Sequence, residues 1–400
     1  MKTRRAGGLT RFWRLLEGQE GGGRNSGYYM ILGSALALTV IGLLMVLSSS
    51  SVSAISKESN SYGLFIRQGI FAVVGVVAML VLSRVPIRWY RRLAWPLLGI
   101  AVVTLALVLT PLGVTVNGNR NWIELAGIRA QPSEAAKLAL AVWSAHILAT
   151  KGHLVRDWKH ALIPVVVPGS AIILLFVLLG HDVGTLLVLV LIVAAVLFLA
   201  GAPKRIFVLG GLAGIVGAIA VFAFSENRMG RLNAWLQIDC EGNRACYQPM
   251  HGFYALASGG WWGVGLGQSR QKWNYLPEAQ TDYILAIVGE ELGLVGTLVI
   301  VVLFAGLAAA MYRVAFQSRD TFVRVATGGI MAWLIGQAFI NMGMVTGLLP
   351  VIGIPLPFIS YGGSALVISL AAIGVILAFA RQSAKTGSST PSRRKTQQPA

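Results

Sequence analysis

Charge is scarce in this 400-residue sequence: Asp, Glu, Lys and Arg make up 12% of it, against 56% hydrophobic residues. A soluble domain carries about twice that charge, so a water-facing globule is excluded. Acidic residues are scarcer still, 15 against 33 Lys and Arg. The five histidines show no metal-ligand spacing. A phosphate-binding Gly-Lys-Thr loop, a nucleophile elbow and a dinucleotide-binding glycine fingerprint are all missing, which argues against ATP-driven work within the chain. Only two cysteines occur, Cys240 and Cys246. Outside the cytoplasm they can bridge, closing a short loop worth about 2 kcal/mol in the chain-entropy model; otherwise they remain free thiols. Neither is given a catalytic role.

What is present is a series of apolar runs near bilayer length, such as Tyr29 to Leu47 and Gly184 to Ala200. Spans are placed at 29–49, 64–83, 93–111, 133–150, 161–179, 184–200, 206–224, 283–311, 323–347 and 357–380. The reading is an all-α polytopic membrane protein of about ten transmembrane helices. The first run lacks a small-residue cleavage site after it, so it reads as a retained span and not a signal peptide. Most of the basic residues, among them Arg84, Arg88, Arg91, Arg92, Lys204 and Arg205, fall in the tails and even-numbered loops. By the positive-inside rule both termini are then cytoplasmic. The net charge of +18 reports topology and contact with anionic lipid, not nucleic-acid binding. Of the acidic residues only Glu17, Glu20, Asp157 and Asp320 fall on the cytoplasmic side, which directs the search for chemistry to the outer face.

Residues 1–26 form a basic tail expected to be disordered, residues 27–380 the membrane domain, and residues 381–400 a second disordered tail. No internal repeat is visible, which disfavours inverted-repeat transporters. Between spans seven and eight lies a large extracytoplasmic loop, 225–281, rich in aromatics (Trp235, Tyr247, Trp261, Trp262, Trp273, Tyr275). It is expected to lie along the outer interface as short amphipathic segments.

Ionisable groups within spans are costly and need a reason. Glu134 and Lys137 are three apart at the start of the fourth span and can pair on one helix face. They read either as a structural pair with Lys137 snorkelling outward or as part of a polar cavity for an anionic headgroup. Arg67, Arg120, Arg129, Arg231 and Lys272 are individually interfacial anchors; together they could form a basic site for phosphate. Asp282, where the long loop meets the eighth span, is a helix-start carboxylate or a general base for a sugar hydroxyl. Asp182 is a helix cap or a wall of the same cavity. The proline- and glycine-rich stretch 347–364 predicts a broken or re-entrant segment, tolerated only where protein or water satisfies its backbone.

As a set, several stretches resemble the SEDS family (shape, elongation, division and sporulation). They are NGNRNW at 117–122, QPSEAAKL at 131–138, HDVGT at 181–185, KWNYLPEAQTDYILAIVGEELG at 272–293 and GLLPVIGIPLPFISYGGS at 347–364. They occur in family order, and the spelling leans to the cell-division branch over the elongation branch. The resemblance implies a peptidoglycan glycosyltransferase that polymerises lipid II at the outer face of the plasma membrane, at the division septum. It places Asp282 on the family's proposed catalytic aspartate, and Glu134, Lys137, Asp182, Arg67 and Arg129 on its functional positions. It also implies polyprenyl-pyrophosphate-linked glycan as donor, a divalent cation (Mg or Mn) as a candidate cofactor, and a class B penicillin-binding transpeptidase and other division proteins as partners. His181 departs from the family, which usually has proline there, as does Ile352, often threonine. Two other functions compete: a lipid-linked precursor flippase, which needs a polar path across the whole bilayer, and a division scaffold.

Overall fold

The computed structural model describes residues 26–388 except 56–61, 117, 126, 224–225, 239, 241–243 and 274. The tails at 1–25 and 389–400 lie outside the described residues. Helices run in the order α1 (Ser26–Ile55), α2 (Gly63–Leu82), α3 (Ile87–Arg92) and α4 (Ala94–Val108), then α5 (Pro132–Lys151), α6 (Trp158–Val165), α7 (Ala171–Leu179), α8 (Val183–Ala200) and α9 (Lys204–Ala223). There follow α10 (Glu226–Trp235), α11 (Arg244–Gly259), α12 (Ile284–Gln317), α13 (Thr321–Val345) and α14 (Gly363–Ser388). Seven of them (α1, α2, α5, α8, α12, α13, α14) are long and apolar enough to cross a membrane among the described residues. The helix α4 is shorter, and α6 and α7 are joined through a π-helical turn at Val166–Ser170. Pro168 removes a backbone donor in that turn, and Ser170 Oγ donates to the Val165 carbonyl at 2.8 Å.

The surface argues for lipid. Ile66, Ile70, Val73, Val77 and Val81 form an exposed apolar stripe along α2, and Val208, Leu209, Leu212, Ile215, Val216 and Ile219 are exposed on α9. Polar side chains such as Gln68, Glu134, Lys137, Gln337 and Asn341 are buried instead. Stripes of this extent are untenable in water but ordinary against acyl chains. The chain is an all-helical polytopic membrane protein around a core that includes Trp143, Trp333, Phe322 and Phe379. In that core α2 packs on α14, α1 on α12, and α13 on α5, α8 and α12.

Three features differ from the sequence reading. The first external loop is not irregular: β1 (Gly113–Val116), β2 (Asn119–Leu125) and β3 (Ile128–Ala130) form an antiparallel sheet in that order. Its register pairs Val114 with Trp122 and Glu124 with Arg129. The last helix begins at Gly363, not near 357, because Phe358 takes a left-handed backbone (φ 67°) that interrupts any helix started at Pro357. It also continues through 381–388, where a tail was expected.

The long loop carries two helices, α10 and α11, and a disulfide ties Cys240, before α11, to Cys246 in its first turn. Beyond α11 the chain is spliced into α12. Helical geometry fails at Gly293 (φ 66°, ψ −165°), a left-handed backbone that favours glycine. The carbonyls of Glu290 and Glu291 accept from the amides of Val264 (2.9 Å) and Gly265 (3.1 Å), while Leu294 and Val295 donate to Gly260 (2.9 Å) and Trp261 (3.2 Å). A Cβ at Gly259, Gly263 or Gly293 would overlap backbone atoms across this junction.

Candidate active site

The site is built where α12 and α14 begin. Pro350, Pro355 and Pro357 cannot donate backbone hydrogen bonds, so the non-helical segment before α14 relies on side chains for its carbonyls. Gln337 and Asn341, four apart and so on one face of α13, supply them. Gln337 Nε2 donates to the Pro355 carbonyl at 2.9 Å, and Asn341 Nδ2 to the carbonyls of Ile354 (2.7 Å) and Asp282 (2.8 Å). Ser360 Oγ donates to the Thr281 carbonyl (2.5 Å) and accepts from the Leu356 amide (2.7 Å). The Tyr361 amide donates to the Gln280 carbonyl (2.8 Å). From α2, Gln68 bonds the Ser360 carbonyl and the Gly362 amide, each at 3.3 Å. Residues 280–282 and 354–362 are thus laced into one cleft.

Asp282 sits in that cleft, half-buried. Its main chain is held by Asn341, but no hydrogen bond or ion pair engages its carboxylate among the described residues. Burial pushes the carboxyl up to about 7; the Glu278 and Asp182 carboxylates push the same way and the Arg231 guanidinium opposes them. Gly353 takes a left-handed turn (φ 79°) beside it, where an added Cβ would stand 3.4 Å from Oδ2. Arg231, exposed on α10, lies 3.5 Å from the carbonyl of Val351, two residues before Gly353.

Lys137 does not snorkel. Its Nζ is buried, 2.8 Å from Glu134 Oε1 and 3.0 Å from Gln337 Oε1, and it lies 5.1 Å above the Trp333 ring. Trp333 Nε1 donates to the same Gln337 oxygen at 3.0 Å. Gln337 therefore joins the Glu134–Lys137 pair to the prolyl segment, one helical turn from the residue that holds Asp282. In this state the lysine is committed to Glu134.

Asp182 is both cap and connector. As N-cap of α8 it accepts from the Thr185 amide (2.9 Å) and hydroxyl (2.8 Å). Its Oδ2 also accepts from Asn121 Nδ2 (2.7 Å) and Gln131 Nε2 (3.2 Å), so the NGNRNW, QPSE and HDVGT stretches meet on one carboxylate. The preceding His181 has φ 62°, a conformation closed to the proline that the SEDS family usually has there, whose ring holds φ near −65°.

The remaining cations are spent elsewhere. Arg120 bonds the Thr110 carbonyl through Nη2 (2.6 Å), and its amide donates to Gly180 (3.0 Å), strapping the sheet to the bundle. Arg129 forms an exposed cross-strand pair with Glu124 (2.8 Å). Lys272 is buried against Glu291 (3.0 Å) and Ser48 (3.1 Å). Glu290 beside it accepts from Ser269 Oγ and the Arg270 amide, so these carboxylates anchor the long loop. Arg67 is exposed on α2 next to Gln68. No group of three or more His, Cys, Asp and Glu residues suited to a metal comes together among the described residues.

Sequence reasoning missed Gln337, Asn341 and Gln68. The signal for the first two was present: two amides four apart in an apolar span, where an unsatisfied amide is costly.

A family model described as cell cycle protein (FtsW, RodA, SpoVE) matches residues 28–385. The chain is 40% identical over 356 residues to the "Probable peptidoglycan glycosyltransferase FtsW" of Mycobacterium tuberculosis, covering 88% of this chain and 68% of that one. It resembles a chain from a structure of a peptidoglycan synthase complex that coordinates polymerization and crosslinking (TM-score 0.72, 26% identity, 88% of this chain and 97% of that one). The rod shape determining protein RodA of Thermus thermophilus is also similar (TM-score 0.66, 25% identity, 88% and 96%).

Proposed function

The chain belongs to the cell cycle protein family of FtsW, RodA and SpoVE, and we propose that it is a peptidoglycan glycosyltransferase, as its 40%-identical relative is named, which polymerises lipid II during cell division with Asp282 as general base. In this reading ten spans place both termini in the cytoplasm and the cleft at the outer face of the plasma membrane, at the septum. The donor is a growing glycan on polyprenyl pyrophosphate, and the acceptor is the 4-hydroxyl of an incoming lipid II sugar. As the acceptor oxygen bonds to the donor's anomeric carbon with inversion, its proton passes to the Asp282 carboxylate and the bond to pyrophosphate breaks. The observation that carries this reading is the unengaged, half-buried Asp282 carboxylate in a cleft whose backbone is held by Asn341, Gln337 and Ser360.

Arg231 lies against the Val351 carbonyl, and Arg67 lies beside Gln68; both are assigned to the diphosphate, where guanidinium donors stabilise departing charge. Lys137 joins them only by leaving Glu134. Arg120, Arg129 and Lys272 support the walls. The donor set makes no protein cage for a metal; a Mg²⁺ or Mn²⁺ ion carried in by the diphosphate would find the Asp282 carboxylate and would neutralise leaving-group charge. A class B transpeptidase is the proposed partner. Against a precursor flippase, the buried ionisable groups Glu134, Lys137, Asp182, Glu290 and Glu291 cluster at the cleft end and trace no path to the other face.

The test is purified Asp282→Ala mixed with lipid II and the partner transpeptidase, with products resolved on gels. Partner binding should persist while glycan strands disappear; strands made at the wild-type rate would overturn the assignment.

A further inference from the structure

At the opposite end of the bundle from Asp282, Arg91, His146, Ala149, Thr150, Arg319, Asp320 and Thr321 line a cavity of about 340 Å³. The two sites are separated by the length of α12, whose 34 residues span about 50 Å of helix. On the topology proposed above, the cavity opens at the cytoplasmic interface. Trp89, Trp158, Tyr312 and Phe316 are exposed on the elements around it, the aromatic belt expected at headgroup depth.

The cavity is unbalanced in charge. Asp320 is the one acid in its lining, and it is already committed: both its oxygens lie 2.6 Å from Arg91 Nη2, and Oδ1 caps α13 by accepting from the Phe322 amide at 3.0 Å. Arg319 is exposed and forms no ion pair among the described residues. The Nε of Arg91 is buried without a partner, as are those of Arg324 and Arg381, which lie on the elements at this same end. The Arg91 guanidinium is engaged by Asp320 and lies over the Phe322 ring, which leaves Arg319 as the cavity's uncommitted cation among the described residues.

We propose that this cavity binds the phosphodiester headgroup of an anionic phospholipid of the cytoplasmic leaflet. The chain's own tails are unsuitable occupants, since 1–25 carries Lys2, Arg4, Arg5, Arg11, Arg14 and Arg24 against Glu17 and Glu20, and 389–400 carries Arg393, Arg394 and Lys395 with no acid. A lipid supplies what the site lacks, a permanent negative charge delivered at headgroup depth with its acyl chains against the apolar helix faces. The proposal depends on the assigned topology but not on Asp282, and its readout is independent of polymerisation.

The experiment is native mass spectrometry of the purified full chain titrated with dioleoyl phosphatidylglycerol, dioleoyl phosphatidylcholine or inorganic phosphate. A phosphatidylglycerol adduct should be retained in preference to phosphatidylcholine and should resist millimolar phosphate. Arg319→Ala should weaken it about fivefold, the loss of one surface cation; Ala149→Trp, which fills the cavity, should remove it, and Arg313→Ala, on the exposed side of α12, should leave it unchanged. Equal retention of the two lipids, adducts indifferent to both Arg319→Ala and Ala149→Trp, or displacement by inorganic phosphate would each overturn the proposal, the last by making this a site for a soluble anion. Should Ala149→Trp fail to fold, Arg319→Ala decides alone.

Discussion

The side-chain amide of Asn341 donates at once to the main-chain carbonyls of Asp282 (2.8 Å) and Ile354 (2.7 Å), so one residue of α13 fixes both walls of the cleft. Asn341→Leu, close in volume, leaves two buried carbonyls unpaired at about 1–3 kcal/mol each. The expected outcome is a lower Tm and a reduced kcat with little change in KM. A variant with wild-type Tm and kcat would show that the bridge positions nothing.

On the proposed role, Asp282 should give the reaction its pH dependence. A general base must be ionised, and with its carboxyl raised to about 7 by burial, the rate should climb through that pH and flatten above it. The stability consequence has the opposite sign. The folded protein holds this proton where the unfolded chain, with an ordinary carboxyl near 3.8, has lost it. The associated stability is complete below about 4 and is lost as pH rises through about 7. Asp282→Asn should therefore abolish polymerisation, by at least about 100-fold, while raising Tm at pH 8 more than at pH 5. A rate profile that is flat from pH 5 to 8 would remove the base.

Lys137 and Glu134 form a buried pair, so single substitutions should be costlier than the double. Lys137→Met strands a buried carboxylate at about 3–5 kcal/mol. Lys137→Met combined with Glu134→Gln should recover most of the Tm, and thermal unfolding of the three variants measures the coupling. If Lys137 also reaches the diphosphate, the stable double variant should still be inactive. Full activity in it would confine the pair to a structural role.

Asp182→Asn removes a charge that accepts four hydrogen bonds. An amide cannot accept along both arms, so the Thr185 cap or the Asn121 and Gln131 contacts must fail, at about 1.5–3 kcal/mol for a charged acceptor. Hydrogen exchange should rise in residues 113–130 before it rises in α8. Unchanged protection of the sheet would show that Asn121 is not what holds it.

Much of this arrangement was legible in the sequence because the bilayer imposes a strong pattern. The seven long spans, the three-residue spacing that pairs Glu134 with Lys137 and the broken segment near Pro355 follow from length, charge and proline chemistry. The sheet was missed although Asn117-Gly118, flanked by Val114, Val116 and Trp122, is a hairpin pattern; in a polytopic chain the long apolar runs mask so short an element. The split among the cations was not legible. Whether Arg120 faces a ligand or the Thr110 carbonyl depends on which turn it packs against, and spacing says nothing of that. Gln337 and Asn341 are readable only once the carbonyls they satisfy are known.

The junction at Gly293 makes one membrane span behave as two members in series. The outer member, from Ile284 to Leu292, gives its end carbonyls at Glu290 and Glu291 to the amides of Val264 and Gly265 and not to the continuation of its own helix. The long inner rod, bolted to α1 and α13, has its own bonds to the same loop, from Leu294 and Val295 to Gly260 and Trp261, so a pull or twist on the external loop reaches the stub next to Asp282 and the rod through separate contacts.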